Sequence, residues 1–324
     1  MKQIKSLITR KIQNYNLFVH RGCAVLCPRR YCGYVYRKTT NKCLNLKDPK
    51  NFNEKIEWLK VYADLSEWTR LADKYEVRKY IEECGLEHIL VRLYGVWDRA
   101  EDIDFSSLPD KFVLKTNHGY SNIIIVQDKG NVDVEFIRRQ LNKWTGVRYG
   151  LLSFEPHYWN IRRRIIAEEY LEEQAYSSFS SSLIDYKFFC VYGEPEVILV
   201  TYDRQNMRVG KEVIEGRRSL KVMLFDLDWN PMPQKISEEV VKGQHDLVPK
   251  PAKLEEMIRV SKILSKPFPQ VRVDLYEVNR RIYFGEMTFT PGSSHEFFTA
   301  EYNLELGEKL DLSKVKRRER RFII

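Results

Sequence analysis

Charged side chains interrupt an apolar segment near the C-terminal end of the chain. The segment VRVDLYEVNRRIYFGEMTFTPG, residues 271–292, predicts two strands joined by a short polar turn. Arg272 and Asp274 share one face of the first strand, since side chains alternate along a strand, and Glu286 is the acid of the second. An arginine beside two carboxylates on apolar strands indicates that this hairpin holds a ligand.

Lysines and acids interrupt other apolar segments in the same way. Singly, each is more typical of the solvated side of a strand or helix. Together they include what a magnesium nucleotide requires, because lysines bind phosphates, carboxylates bind the metal, and a backbone segment with nearby acids can bind adenine and ribose. The residues are Lys74 in ADKYEVRKY, Lys115 in FVLKTNHG, Glu168 and Glu169 in IAEEYL, and Asp185 and Lys187 in DYKFF.

The register of the C-terminal hairpin decides whether Asp274 and Glu286 can act together. Directly paired residues of an antiparallel ladder share a face, and a two-residue turn at 279–280 would place the two acids on opposite faces. A three-residue loop over 279–281 would pair them. A metal site on this hairpin therefore predicts the longer loop.

The elements that must position these residues follow from periodicity and turn signals. Residues 48–85 predict two helices, the first capped by Asn51 or Asn53 and the second ended by Gly85. KFVLKTN and NIIIVQD predict strands on either side of HGYS, and residues 133–145 predict a helix.

The remaining segments continue the alternation of helices and strand pairs. RRRIIAEEYL predicts a strand, IDYKFFCVYG and EVILVTYDR predict a hairpin, and LEEMIRVSKILSK predicts an amphipathic helix before the C-terminal hairpin. The predicted order α, ββ, α, ββ, α, ββ is a mixed α+β plan, which often forms a cleft between two lobes.

Positive charge is concentrated at the two ends of the chain, which carries +9 overall. Residues 1–47 contain eleven Lys or Arg and no acid, and residues 314–321 contain six basic residues and one acid. The sequence between them is therefore net acidic. An enzyme acting on nucleic acid would have a basic cleft, so the distribution argues against that class and favours contact with an anionic surface such as a membrane.

Apolar residues in the first twenty positions recur at steps of three and four, with basic residues mostly between them. This pattern is typical of an interfacial amphipathic helix, and the alternative is a helix packed on the body of the protein. No uncharged apolar run reaches the ~18 residues of a membrane span, and His20 and Arg21 interrupt the only signal-like segment. We expect a cytoplasmic protein, peripheral at the inner face of the plasma membrane.

Six cysteines in a reducing compartment are expected to be free thiols. Cys23, Cys27, Cys32 and Cys43 are close in sequence, but their spacings lack the CxxC pairs of zinc sites, which disfavours a structural metal.

The order of these motifs, from about Lys74 to Gly292, resembles the ATP-grasp superfamily. The longer run from LNLKDPKNFNEKIEWLK to YFGEMTFTPGS resembles its teichuronopeptide-biosynthesis (TupA-like) branch, whose members occur with surface-polysaccharide genes. The resemblance implies an ATP-grasp fold of the α+β class, in which two α+β lobes clasp MgATP between them, with a basic, mainly helical N-terminal extension.

The resemblance also implies a division of the chain. Residues 1–70 are expected to form the basic extension and its helices, and residues 311–324 a basic tail. The ATP-grasp domain would span residues 71–310, with a lid lobe over about 112–167 and a metal-binding lobe over about 168–310.

Roles carried over from the family assign most of the charged residues. ATP and Mg²⁺ are the implied cofactors, and Arg272 would stabilise the transition state. Lys187 resembles a position that faces the triphosphate, and Arg204 is a candidate for binding the carboxylate substrate, because a guanidinium matches a carboxylate. The implied metal ligands are Asp274, Glu286 and Thr288, and the implied nucleotide-binding residues are Lys74, Lys115, His118, Gly119, Ser121, Glu168, Glu169, Tyr170 and Leu171.

Two positions depart from the family pattern. The phosphate loop HGYSN has one glycine where relatives have more, which leaves its backbone N–H groups less freedom to surround phosphates. Thr288 stands where many ligases have Asn or Asp, and a neutral hydroxyl is a poorer magnesium ligand. Asp274 and Glu286 are therefore expected to hold the metal with water and phosphate oxygens.

The implied activity is an ATP-dependent carboxylate–amine ligase that forms an amide through an acyl phosphate. Its expected substrates are a carboxylated cell-surface polysaccharide, or a precursor of one, and an amino acid or other amine, with no nucleic-acid partner. A sugar kinase on the same scaffold is an alternative, since fold does not determine function. A capsule glycosyltransferase using Asp226 and Asp228 of FDLDW as a metal-binding acid pair is another.

Overall fold

The computed structural model of the chain describes residues 18–173, 179–204, 207–209, 212–214, 220–237, 240, 248–291 and 297–319. Its helices are α1 Pro28–Thr40, α2 Phe52–Tyr62, α3 Ser66–Leu71, α4 Val77–Glu83, α5 Val134–Thr145, α6 Leu254–Ser265 and α7 Ala300–Lys309. Its strands are β1 Leu93–Trp97, β2 Phe112–Thr116, β3 Ile123–Val126, β4 Ile165–Glu169, β5 Asp185–Val191, β6 Glu194–Tyr202, β7 Met207–Val209, β8 Glu212–Ile214, β9 Lys221–Phe225, β10 Gln270–Val278 and β11 Arg281–Thr288.

The strands form two antiparallel sheets, which confirms a mixed α+β fold. A six-stranded sheet has the order β1-β4-β2-β3-β8-β7, and a five-stranded sheet has the order β11-β10-β5-β6-β9. The predicted pairs β2–β3, β5–β6 and β10–β11 are all hairpin neighbours. Strand β1 was not predicted because each of its five residues is half-buried, so it has no alternating pattern.

Each sheet has its own hydrophobic core. The larger core packs α2, α6 and α7 on the five-stranded sheet through fully buried side chains such as Leu59, Leu264 and Val273. The smaller core packs Ile137 and Leu141 of α5 against the six-stranded sheet. Fully burying one such side chain contributes roughly 1.5–3 kcal/mol, so each lobe is held by its own layer of apolar contacts.

Helix α2 belongs to the larger core, whereas α1 packs in a separate small cluster with Val61, Leu151 and Phe154. Asn51 caps α2 by accepting from the Glu54 backbone N–H at 2.9 Å, and Glu54 completes a capping box. Asn303 of α7 accepts from the Asn53 backbone N–H at 3.1 Å, which ties α2 to the C-terminal helix. The sequence prediction of a cap at this point is confirmed at Asn51.

The prediction of two helices over residues 48–85 is wrong, because the segment contains α2, α3 and α4. The side chain of Asp73 accepts from the backbone N–H groups of Tyr75 at 2.8 Å and Glu76 at 3.3 Å. Such local bonds compete with helical ones and end a helix. The break places Lys74 on a turn, and Gly85 follows α4 with φ +70° as expected.

The β10–β11 turn is also shorter than predicted. Asn279 and Arg280 form a two-residue turn, both with positive φ, and Val278 pairs with Arg281. The register shifts between Asp274 and Leu275, because Gly285 forms a β-bulge, so Asp274 nevertheless pairs directly with Glu286. The prediction of a three-residue loop is wrong, but the pairing of Asp274 with Glu286, for which that loop was required, is present.

Two predictions concern residues that the structure does not describe in full. Residues 1–17 of the predicted amphipathic helix and residues 320–324 of the basic tail lie outside the described ranges, as does Gly292. Within the described residues, no helix combines the length and apolarity that crossing a membrane requires.

Candidate active site

A cleft of about 1620 Å³ lies between the two sheets, with Lys115 of β2 on one wall and Lys187 of β5 on the other. It brings together all but one of the site residues expected from sequence. These are Lys74, Lys115, Gly119, Ser121, Glu168, Glu169, Tyr170, Leu171, Lys187, Arg204, Arg272, Asp274, Glu286 and Thr288.

His118 is the exception. Its side chain is buried and lines a neighbouring cavity of about 270 Å³ together with Trp159 and Arg163. Burial, and then the charge of Lys74, lowers the pKa of His118 to about 4, so the imidazole is neutral at pH 7. The His118 side chain, at the start of the HGYSN loop, therefore lines this neighbouring cavity rather than the cleft.

Lys187, Asp274 and Glu286 form one row across three neighbouring strands. Asp274 of β10 pairs with Lys187 of β5 on one side and with Glu286 of β11 on the other. Lys187 Nζ lies 2.7 Å from Asp274 Oδ2. Paired residues of a sheet share a face, so this row presents two carboxylates and an ammonium group to the cleft.

Arg272 links the carboxylates of this row. Its Nε and Nη2 donate to the two oxygens of Asp274 at 2.6 Å each, and Nη2 also lies 3.2 Å from Glu286 Oε1. Thr288 accepts from Arg272 Nη2 at 3.0 Å and donates to Glu286 Oε1 at 3.1 Å. The planar guanidinium thereby fixes the distance between the two acids.

The charge of Glu286 is stabilised by cations on three elements. Burial alone would raise its pKa, but Lys74, Arg272 and Lys187 together lower it to about 2. Lys74 Nζ lies 3.5 Å from Glu286 Oε2. Glu286 is therefore an anion at physiological pH and is available as a ligand for a cation.

Asp185 extends the polar surface one row further along β5, and it was missing from the residues assigned a role from sequence. It contacts Lys187, and Arg204 Nη2 lies 3.5 Å from its Oδ2. Among the described residues its Oδ1 is buried without a hydrogen-bond partner. Burial raises the pKa of Asp185, with Lys187 opposing the rise.

The turn that carries Lys74 is fixed by Asn117, which follows β2 and is fully buried. The Asn117 carbonyl accepts from the Lys74 backbone N–H at 2.9 Å, and its side chain donates to the Arg162 carbonyl at 2.8 Å and accepts from the Arg164 N–H at 2.7 Å. Arg164 Nη1 in turn pairs with Glu76 Oε1 at 2.6 Å. The asparagine thus holds Lys74, the phosphate loop and the start of β4 together.

The loop after β2 depends on a left-handed backbone at two positions. Gly119 has φ +73° and Ser121 has φ +56°. A Cβ at Gly119 would lie 2.9 Å from the Tyr149 ring, so the single glycine of HGYSN stands where a side chain would clash. The Gly119 carbonyl accepts from Lys74 Nζ at 2.6 Å, which holds that lysine at the loop.

Lys115 and Glu168 form the other charged pair of the cleft. Lys115 Nζ lies 2.5 Å from Glu168 Oε2, and Arg78 Nη1 lies 3.7 Å from Glu168 Oε1. The residues that line the cleft also include the apolar side chains Val91, Ile125 and Phe284. Apolar lining of this kind suits the adenine ring of a nucleotide.

The donor set of the β10–β11 hairpin suits Mg²⁺, which prefers oxygen ligands and retains several waters. Asp274 and Glu286 supply two neighbouring carboxylates, and Thr288 supplies a hydroxyl. Within the described residues no three His, Cys, Asp or Glu side chains converge as a metal site, so phosphate and water oxygens would have to complete the shell.

Asp226 and Asp228 do not form the diphosphate site of a glycosyltransferase. The Asp226 side chain accepts from the backbone N–H groups of Asp228 at 3.0 Å and Asn230 at 2.7 Å, so it closes a turn after β9. Neither aspartate is among the residues that line the cleft. The acid-x-acid spacing reflects turn chemistry.

One known protein family matches most of the chain. The family described as TupA-like ATPgrasp matches residues 54–311 of the chain. No curated protein matches the sequence.

Several solved structures are similar to parts of the chain. The D-alanine–D-alanine ligase from Bacillus anthracis is 13% identical, with 78% of this chain and 69% of that chain covered and a TM-score of 0.45. The phosphoribosylamine–glycine ligase from Thermotoga maritima is 13% identical, with 72% and 52% covered and a TM-score of 0.39. The ADP complex of an N5-carboxyaminoimidazole ribonucleotide synthetase is 15% identical, with 73% and 50% covered and a TM-score of 0.40. This chain therefore spans between half and about two thirds of the length of these proteins.

Proposed function

The chain belongs to the TupA-like ATP-grasp family, and we propose that it joins a carboxylate to an amine in an ATP-dependent reaction. ATP and Mg²⁺ are the cofactors of ATP-grasp enzymes. The observation that carries the proposal is the row Lys187–Asp274–Glu286. Arg272 is hydrogen-bonded to both acids of this row, and Lys74 and Lys115 line the same cleft.

The cations of the cleft are arranged for a transferring phosphoryl group. Lys74, Lys115 and Lys187 are each paired with a carboxylate in this structure, so a bound triphosphate would exchange one anionic partner for another. Asp274, Glu286 and Thr288 would hold Mg²⁺, which supplies charge neutralisation at the phosphates when bound. Arg272 would stabilise the charge that develops during transfer.

Arg204 supports a carboxylate acceptor. It follows β6, lines the same cleft, and its backbone N–H donates to Ser182 Oγ at 3.0 Å. A carboxylate held by its guanidinium fork would attack the γ-phosphate, forming an acyl phosphate and releasing ADP. The amine would then attack the acyl carbon, and inorganic phosphate would leave.

We assign the carboxylate to a uronic-acid glycan or its precursor. The cleft of about 1620 Å³ exceeds the ~300–1,000 Å³ of ordinary small-molecule sites, so a nucleotide leaves room for a large second substrate. The resemblance to proteins that occur with surface-polysaccharide genes points to the same substrate class.

A rim of exposed apolar and basic side chains supports contact with an anionic membrane carrying such a precursor. Phe18 is 75% exposed and Leu152 is 59% exposed, and both line the cleft together with Arg21 and Arg148. Apolar side chains can enter the lipid interface, and each nearby basic residue contributes about 1 kcal/mol to membrane binding.

Pelleting with phosphatidylglycerol vesicles should weaken in a Phe18→Ser/Leu152→Ser variant. Leu304→Ser is the matched control, since Leu304 is 46% exposed on α7 and is not among the cleft-lining residues. Equal pelleting of both variants at every lipid composition would exclude this contact.

The activity is tested by following ADP and phosphate release with a panel of uronic-acid glycans and each amino acid. We expect one phosphate per amide, and hydroxylamine should trap the acyl phosphate as a hydroxamate. A stable sugar phosphate would establish the kinase alternative instead.

A further inference from the structure

A buried carboxylate lines the cleft without belonging to the nucleotide or metal positions. Glu155 is 7% exposed, and it precedes a short 3-10 helix, Pro156–Tyr158. Its backbone N–H donates to the Gly150 carbonyl at 2.7 Å, and Gly150 has φ +77°. A Cβ at Gly150 would lie 2.6 Å from the Glu155 carbonyl oxygen, so the loop is tightly fixed.

Two neutral hydroxyl groups donate hydrogen bonds to this carboxylate. Thr290 donates to Oε1 at 2.6 Å, and Ser153 donates to Oε2 at 2.5 Å. The cation Lys60 acts on Glu155, but Lys60 is ion-paired at 2.7 Å with Glu57. Each carboxylate oxygen has two acceptor sites, so Glu155 retains capacity for a further donor.

Two tyrosines lie close to Glu155 in the chain, and the Tyr158 backbone N–H donates to the Glu155 carbonyl at 3.1 Å. The rings of Tyr149 and Tyr158 meet edge to face at 4.7 Å, and both line the cleft. Burial raises the pKa of Tyr158, and the charges of Glu155 and then Glu286 raise it further. Thr290, which donates to Glu155, lies two residues beyond Thr288, which donates to Glu286, so Glu155 lies beside the end of β11 that carries Glu286.

We propose that Glu155, with the rings of Tyr149 and Tyr158, binds the ammonium group of the amine substrate. This assignment rests on the proposed ligase function and names the second substrate as a primary amine that arrives as a cation. A carboxylate gives a charge-assisted hydrogen bond to such a group, and aromatic rings attract a desolvated cation.

The electrostatics of the site agree with this assignment. Burial raises the pKa of Glu155, and Lys60 and the hydrogen bonds from Ser153 and Thr290 oppose that rise. A carboxylate whose charge is incompletely compensated is stabilised by an incoming cation. Arg204 lies at the Asp185 end of the cleft, so the acid substrate and the amine substrate have separate charged partners.

Hydroxylamine separates the amine site from the chemistry, because it is a neutral nucleophile at pH 7. With Glu155→Gln, we expect the KM for the amine to rise at least 30-fold. ATP affinity and the rate of hydroxamate formation should stay within threefold of wild type. Glu135→Gln, at an exposed position of α5 that is ion-paired with Arg138, is the control for loss of one acid.

The possible outcomes separate the two proposals. Equal loss of hydroxamate and amide in Glu155→Gln would make Glu155 a structural residue and overturn the assignment, as would an unchanged KM for the amine. Absence of hydroxamate from the wild-type protein with every carboxylate would overturn the ligase function itself.

A second measurement uses the wild-type protein, in case Glu155→Gln does not fold. The trimethylammonium analogue of an active amine should inhibit amide formation competitively and at least tenfold more tightly than its neutral tert-butyl isostere. Equal inhibition by the two analogues would show that the site does not recognise a cation.

Discussion

Asp274 pairs directly with Glu286 across the β10–β11 hairpin, although the two-residue turn of that hairpin begins in the opposite register. From Val278 and Arg281 to Leu275 and Phe284, the ladder would place Asp274 opposite the position occupied by Gly285. The bulge at Gly285 shifts the register by one residue and turns Glu286 onto the face of Asp274 and Arg272. The direct pairing of these two acids therefore depends on a glycine.

Replacing that glycine should damage the pair. A Cβ at position 285 would lie 3.0 Å from the Asp274 carbonyl oxygen and 3.0 Å from Tyr276 Cε2. We expect Gly285→Ala to lower the free energy of unfolding by about 1–3 kcal/mol and to weaken Mg²⁺-dependent ADP binding. Urea denaturation and calorimetry measure the two effects. Gly33→Ala in α1 is the control, because an added Cβ there meets nothing within 4 Å. A Gly285→Ala protein with wild-type stability and metal dependence would show that the bulge is dispensable.

Glu286 should give the protein a defined pH dependence. Its folded-state pKa, about 2, lies below its ordinary value of 4.5, so its ionisation stabilises the fold above pH 4.5, and this stabilisation is lost as the pH falls towards 2. Glu286→Gln should therefore be less stable than wild type at pH 7, by at most about 3 kcal/mol, since solvent screens a partly exposed side chain. The difference should shrink between pH 5 and pH 3. Chemical denaturation of both proteins across this range is the measurement, and a pH-independent difference would contradict it.

Lys115 should contribute to nucleotide affinity rather than to folding. Its side chain is 16% exposed and paired with Glu168, whereas the Lys111 side chain is 50% exposed and paired with Glu172. Lys115→Met should weaken ATP binding by about 10- to 100-fold, equivalent to about 1.4–2.7 kcal/mol, because one charge-assisted phosphate contact is lost. Lys111→Met should leave the calorimetric affinity unchanged. Comparable ATP affinities for the two variants would show that Lys115 does not contact the phosphates.

Arg204 should control the carboxylate substrate. Arg204→Lys keeps the charge but loses the planar fork that matches two carboxylate oxygens. We expect the KM for the carboxylate to rise at least tenfold while the KM for ATP changes less than twofold. Steady-state kinetics with each substrate varied separately give both values. A rise confined to the KM for ATP would place Arg204 at the triphosphate.

Part of the cleft could be predicted from residue chemistry, and the family resemblance implied the rest, including Gly119, Tyr170 and Thr288. Lysines and acids on apolar strands are ordinary one by one but informative as a set, and Asn51 followed by Glu54 is a local capping signal. The structure places fourteen predicted site residues along one cleft.

What the sequence could not show depends on contacts between distant segments. Asn117 resembles an ordinary loop asparagine until its bonds to Lys74, Arg162 and Arg164 are seen. The bulge at Gly285 compensates for the two-residue turn, where the sequence predicted a three-residue loop. Glu155 could not be predicted as a site residue, because one of its two hydroxyl partners, Thr290, lies 135 residues away in the chain.

The central claim, that a carboxylate is activated as an acyl phosphate, is tested most directly by oxygen transfer. A uronic-acid substrate labelled with ¹⁸O in its carboxylate is incubated with the protein, MgATP and the active amine, and the released phosphate is analysed by mass spectrometry. We predict that each phosphate carries one oxygen atom from the carboxylate, because the acyl C–O bond breaks when the amine attacks. Unlabelled phosphate formed together with amide, or phosphate retained on a sugar hydroxyl, would contradict the account.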